Sequence, residues 1–151
     1  MTKTKEYRVK LTLLEVNSEP LVTIKSINNV DKFLKDKITY LDREHFVTMC
    51  LNPKNQVVGW ESTGIGAPNT TAVSFREVFK LAILMNATAI IVAHNHPSGS
   101  LEISQGDIKL TNALVEAGKL LSIQVMDHVT VSPKGCLSIL DYIKSKERKK
   151  K

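Results

Sequence analysis

The sequence predicts an α/β or α+β domain, a mixed β-sheet flanked by helices. Three observations predict it. Strand-like and helix-like stretches are interspersed along the 151 residues. Ala89 to Ala93 is a continuous apolar run of strand length, the pattern of a central strand buried on both faces. Ser74 and Ser104 each stand where a helix would begin, since a serine hydroxyl accepts from the free N–H groups of a first turn. The length fits one domain with a single core.

Taken in order, Tyr7, Val9, Leu11 and Leu13 alternate with mostly polar residues, which reads as a half-buried strand. Asn17 to Pro20 breaks it. Ile27 to Lys37 places Ile27, Val30, Phe33 and Leu34, with Ile38 just beyond, near helical spacing. Phe46 to Leu51 and Gln56 to Glu61 flank Asn52-Pro53-Lys54-Asn55, the pattern of a hairpin with a four-residue turn. A glycine-bearing loop is expected from Thr63 to Thr71. Ser74-Phe75-Arg76-Glu77 is a capping-box signature for a helix to about Asn86. After the apolar strand, Ser104 caps a second long helix to about Gly118, where glycine offers a stop. Ile123 to Val131 is rich in β-formers, Ser132-Pro133-Lys134-Gly135 is a turn, and Ile139 to Lys146 is a short last helix.

Several function classes are disfavoured. No apolar run approaches the roughly 18 residues needed to span a bilayer, and the polar start MTKTKEYRVK shows no secretory signal. Two cysteines, Cys50 and Cys136, make no disulfide framework, so a reducing cytoplasm is the expected compartment. The net charge of +6 suggests nucleic acid until it is located. The last eight residues, KSKERKKK, carry a net +5, leaving +1 on the first 143. The body is near neutral; a frayed basic tail at 147–151 is expected, open to weak contact with phosphates or acidic partners.

The chemistry concentrates in His94-Asn95-His96-Pro97-Ser98-Gly99 and Ser104-Gln105-Gly106-Asp107. A strand's side chains repeat every second residue, so His94 and His96 project from one face. Pro97 and Gly99 turn the chain, and Asp107 falls in the first turn of the helix that Ser104 starts. A lone histidine is usually structural, and an aspartate in a first turn commonly serves the helix dipole. Together, two neutral imidazoles and a carboxylate form a set that Zn²⁺ accepts in catalytic sites, with a fourth position for water. One Zn²⁺ per chain, held by His94, His96 and Asp107, is the expected cofactor.

These residues resemble the JAMM motif of the MPN/JAB metalloprotease superfamily, HxHx7SxxD, which His94, His96, Ser104 and Asp107 satisfy at every position. HNHPSG, with REVF upstream and MDHV downstream, is similar more narrowly to the RadC-like branch, often labelled DNA-repair proteins. The likeness spans about Ile27 to Ile143. It implies a cytidine-deaminase-like MPN/JAB fold over 26–146, preceded by a strand extension at 1–25, and hydrolysis of a peptide or isopeptide bond in a protein or peptide substrate. It also implies a glutamate base upstream that takes a proton from zinc-activated water and passes it to the leaving amine. Glu44, directly before the strand at Phe46, is the better match, and Glu61 is its competitor. Ser104 has two readings, a helix cap alone or, by the resemblance, also a donor to the developing oxyanion. His45 is expected to point away from the face of Glu44. His128 is either a partner that orients a ligand or an ordinary strand-end histidine.

Other zinc hydrolases fit less well. A nucleobase deaminase needs HxE followed by PCxxC, and a zincin needs HExxH on a helix; neither is present. The HxHxDH pattern of metallo-β-lactamase-like nucleases fails because Pro97-Ser98-Gly99 follows the histidine pair. The rival from another class is a non-catalytic binding or scaffold protein serving DNA transactions. Fuller RadC-like proteins carry an N-terminal helix-hairpin-helix region not seen in this sequence. The near-neutral body speaks against a broad phosphate-binding groove.

Overall fold

The computed structural model describes residues 4, 6, 12–15, 18–66 and 73–149. A five-stranded mixed sheet in the order β2-β1-β3-β4-β5 is flanked by four α-helices. Helix α1 (Ile27–Leu34) runs directly into a π-helical turn, Lys35–Thr39. The apolar spacing read across Ile27 to Lys37 therefore holds, but wider winding at its end lets Ile38 as well as Leu34 reach the core. The expected strand at Tyr7, Val9 and Leu11 lies outside the described residues. Leu13 is described, belongs to no strand and is exposed.

Strands β1 (His45–Leu51) and β2 (Val57–Ile65) form the anticipated antiparallel hairpin. The Asn52 side-chain oxygen closes its turn by accepting from the N–H groups of Lys54 at 2.9 Å and Gln56 at 3.0 Å, an Asx turn. Strand β2 outlasts its predicted end. Thr63, Gly64 and Ile65, expected to be loop, belong to the strand, with Gly64 opposite Phe46 and Thr63 the extra residue at a bulge; 67–71 lie outside the described residues.

Helix α2 (Phe75–Leu84) starts at Ser74, yet the Ser74 side chain makes no capping bond. Its expected partner Glu77 is drawn instead to Lys80, one turn along the exposed face. Strand β3 (Ala89–Asn95) is the central strand, buried at every position as its apolar run predicted. It pairs antiparallel with β1 and, through the crossover helix α3 (Gln105–Leu121), parallel with β4 (Gln124–Ser132). Strand β5 (Gly135–Ser138) turns back from β4, and α4 (Ile139–Arg148) follows.

The last helix outruns its predicted end at Lys146. Ser138 caps it by accepting from the Asp141 N–H at 3.0 Å, Ile139 and Ile143 anchor it, and cations in its last turn suit the negative end of its dipole. Residues 147–149, expected to be frayed, are thus helix and cap; Lys150 and Lys151 lie outside the described residues. No helix of the described residues is long and apolar enough to cross a membrane.

The sheet buries two apolar layers. Val47, Met49, Leu51, Ile91 and Ala93 pack with Val30 and Leu34 of α1 on one face. Phe46, Cys50, Ile90 and Val92 pack with α2 and α3 on the other. An irregularity in β4 matters for the site. Val125 pairs with Ile90 but Asp127 pairs with Ile91, leaving Met126 as an extra residue. Such a bulge reverses the alternation of faces beyond it. Val125 faces the α2–α3 layer, whereas Val129 and Val131 face the α1 layer. His128 and Thr130, paired with Val92 and His94, are thereby turned toward α3.

Gly118 does not stop α3. The helix continues to Leu121 and ends on Ser122, whose φ is +57°. The Ser122 N–H bonds Lys119 O and the Ile123 N–H bonds Gly118 O at 2.9 Å, the pattern of a Schellman motif. Glycine is required at 118 by close approach, because a Cβ there would lie 2.5 Å from Ile123 O and 3.0 Å from Val125 Cγ2. Gly118→Ala is expected to destabilise the protein by about 1–2 kcal/mol, the overpacking strain exceeding alanine's better helix propensity. A urea midpoint at or above the wild-type value would show that the β4 entry yields instead.

Candidate metal centre

The site lies where β3 ends. His94 is the last residue but one of β3, which ends on buried Asn95. His96, one residue past the strand, keeps the extended course because its N–H donates to Val131 O at 3.0 Å. The two imidazoles therefore emerge on one face, as the period-two spacing predicted. Pro97 then begins a turn in which the Gly99 N–H returns to His96 O at 2.9 Å, with Gly99 at φ +76°. The turn brings Ser100 O to 2.8 Å from His96 Nδ1. A carbonyl only accepts, so Nδ1 carries a proton and Nε2 is the nitrogen left to ligate.

Asp107 arrives from the start of α3. Its Oδ2 accepts from the Ser104 N–H at 2.9 Å and the Ser104 hydroxyl at 2.7 Å, while Ser104 Oγ accepts from the Asp107 N–H at 3.0 Å. This reciprocal capping box holds the carboxylate still and leaves Oδ1 facing His94 Nε2 at 3.6 Å. The two histidine Nε2 atoms are 3.0 Å apart. One ligand atom from each of His94, His96 and Asp107 lies within 4.8 Å of the others. Neighbouring ligands on a tetrahedral zinc with bonds of roughly 2.0–2.1 Å would sit about 3.3 Å apart, so the donor set fits such an ion.

The electrostatics match. Burial lowers the His94 pKa to about 4, with His96 adding to the effect and Asp107 opposing it. His94 is therefore neutral at pH 7, the form that ligates metal. Phe46 lies parallel to the His94 ring at 6.4 Å and presents to His128 at 5.5 Å, which keeps this corner apolar. Cys50, deeper on the same face, is an inert buried thiol, pushed up to about 12 by burial and then by Glu61.

Glu44 precedes β1 on the face of Phe46. Its backbone O accepts from the Gly66 N–H at 2.9 Å. Its side chain is half-buried, and Oε2 is buried with no hydrogen-bond partner among the described residues. Burial raises the Glu44 pKa, while His96 lowers it and Asp107 raises it; the carboxyl thus feels both expected ligands. Glu61 sits mid-strand in β2, opposite Thr48, and its charge acts on Cys50 and Lys80. His45 points off this face, its Nδ1 lying 3.3 Å from Ser62 Oγ.

Residues 24–146 match the RadC-like JAB domain. The chain belongs to the RadC-like JAB family. Similar curated proteins include a UPF0758 protein of Moorella thermoacetica, 48% identical over 108 residues that cover 72% of this chain and 47% of the relative. Another, from Desulfitobacterium hafniense, is 41% identical over 126 residues, covering 82% of this chain and 56% of the relative. A third, from Rubrobacter xylanophilus, is 44% identical over 108 residues, covering 72% and 48%. The chain spans about half the length of the curated relatives it matches.

Within this RadC-like JAB domain, three contributors were not apparent from sequence. Asn95, between the two histidines, points to the opposite face: its Oδ1 accepts from the His45 N–H at 2.6 Å and its Nδ2 donates to Arg43 O at 2.9 Å. It thereby pins the segment that carries Glu44. Thr111 Oγ1 lies 2.6 Å from Asp107 O and 2.7 Å from His128 Nδ1. Thr130 Oγ1 lies 3.4 Å from His94 Nε2. His128, left open between two readings, is fully buried with Nε2 2.9 Å from His94 Nδ1. The spacing of Thr111 four residues after Asp107 was the one available signal, and it gains meaning only once β4 is in place.

Proposed function

We propose that this RadC-like JAB protein is a zinc-dependent hydrolase of JAMM type, cleaving a peptide or isopeptide bond. The observation that carries the reading is the convergence of His94, His96 and Asp107 beside the buried, unpartnered Oε2 of Glu44. His94, His96 and Asp107 would hold the ion. When bound, zinc lowers the pKa of a coordinated water to about 7 and polarises a substrate carbonyl.

Glu44 does the proton work. Its carboxylate accepts a proton from the attacking water and returns it to the leaving nitrogen, and burial brings its pKa upward, toward the working pH, as such a task needs. Ser104 supports both readings of its role. Its hydroxyl now donates to Asp107 Oδ2, and turning toward a substrate oxyanion would leave that oxygen the Ser104 N–H. A donor so placed is worth about 3 kcal/mol in the transition state.

The test is elemental analysis of the purified protein together with assays on peptide and isopeptide substrates. One zinc per chain is expected, with activity lost to a chelator and restored by zinc. A folded protein that takes up no zinc sinks the site. A zinc-loaded protein that cleaves nothing but binds DNA through its basic C-terminal residues favours the scaffold reading.

A further inference from the structure

The hydrogen bonds behind His94 have only one consistent direction. Asp107 O is a backbone carbonyl and can only accept, so the single hydroxyl proton of Thr111 is spent on it, at 2.6 Å. Thr111 Oγ1 must then accept from His128, whose Nδ1 lies 2.7 Å away. His128 is fully buried, and its ring nitrogens meet only Thr111 Oγ1 and His94 Nδ1, with no carboxylate among the described residues to balance a charge; a buried, unpaired imidazolium is costly, so the ring is neutral and carries that one proton. Its Nε2 is therefore bare, and His94 Nδ1, at 2.9 Å, must be the donor.

We propose that Thr111 and His128 are positioning residues forming a one-way relay, anchored on the Asp107 carbonyl, that fixes His94 as its Nδ1–H tautomer and keeps Nε2 bare for a divalent cation. The use of that bare nitrogen rests on the zinc-site reading; the tautomer does not. This form is the opposite of the one imidazole favours in water, so the protein must impose it through the bond at the other nitrogen. Thr130 is compatible with it, since its hydroxyl, 3.4 Å from Nε2, can donate to a bare nitrogen. Asp107 then serves twice, offering its carboxylate to the cation and its backbone carbonyl to the relay. The bulge at Met126 is what turns His128 into this line. The two Nε2 atoms lie 3.0 Å apart, close enough for one divalent cation to take a lone pair from each.

Two-bond proton–nitrogen spectra of the imidazoles, recorded on the metal-free full chain at pH 7, test the relay. His94, His96 and His128 are all expected as Nδ1–H. Thr111→Val removes the acceptor at nearly constant shape, so His128 should move its proton to Nε2 and drive His94 to Nε2–H. Cobalt(II) and zinc affinity should fall about 10–100-fold, the usual effect of losing such a partner, and Thr111→Ser should restore both tautomer and affinity. A wild-type His94 found as Nε2–H overturns the relay, whatever the metal does. So does a Thr111→Val protein that loses stability but keeps its tautomers and affinity. If Thr111→Val does not fold, the wild-type spectrum alone decides. A wild-type His94 found as Nδ1–H in a protein that binds neither metal overturns the zinc-site reading and with it the purpose assigned to the relay.

Discussion

Glu44→Gln is expected to keep its zinc and lose peptide hydrolysis by about 10²–10⁴-fold, the range assigned to a positioned general base. Glutamine preserves the shape and the contacts of the Glu44 backbone, including the bond from Gly66, but it cannot accept a proton. Folding should not suffer. Burial raises the Glu44 pKa, so the ionised form is held at a cost in the native state, and a neutral amide removes that cost. Thermal unfolding should therefore occur no lower than in the wild type. Glu61→Gln is the matched control and should leave turnover intact, because the charge of Glu61 acts on Cys50 and Lys80. If Glu61→Gln were inactive and Glu44→Gln active, the base would be Glu61.

The second large effect concerns the metal. Asp107→Ala should reduce zinc affinity by at least about 100-fold, beyond what loss of an outer partner typically costs, and the purified variant should carry little zinc. Its stability should drop only modestly. Oδ2 accepts from the Ser104 N–H and hydroxyl, and losing that half of the cap costs about 1 kcal/mol. The Asp107 backbone carbonyl remains, so the Thr111 and His128 bonds behind His94 persist. The two effects separate in one experiment. Zinc in 100-fold excess over its dissociation constant should stabilise the wild type by about 2.7 kcal/mol and the variant by almost nothing. An Asp107→Ala protein with one zinc per chain would remove the carboxylate from the ligand set.

Much of this site is local, and local features are legible. Two residues apart on a strand means one face, which brings His94 and His96 together. A serine three residues before an aspartate at a helix start means a reciprocal cap, which orients Asp107. The sheet's central strand was visible as an unbroken apolar run. What sequence did not show depends on elements meeting. The Met126 bulge has no compositional mark, yet it decides that His128 rather than Val129 faces α3. Gly118 reads as a helix stop by type but is needed for its distance to Ile123 O. The signature at Ser74 marks the helix start, but its side-chain bonds do not form, and Glu77 pairs instead with Lys80 on an exposed face, where neither bond is worth much.

The hydrogen bond from the His45 N–H to Asn95 joins residues 50 apart in the chain, and it has a kinetic meaning. The histidine pair exists as soon as β3 is extended. The aspartate joins only after α3 has nucleated, and the glutamate segment only when β1 has docked along the sheet's centre. Contacts of such separation close late in folding, after the entropy of long loops has been met. A cation arriving early would find two imidazoles and a weak hold. One arriving at the end finds the full set. Metal occupancy would thus report that α3 has formed beside β3, whereas hydrolysis, which also needs Glu44, would report the completed assembly.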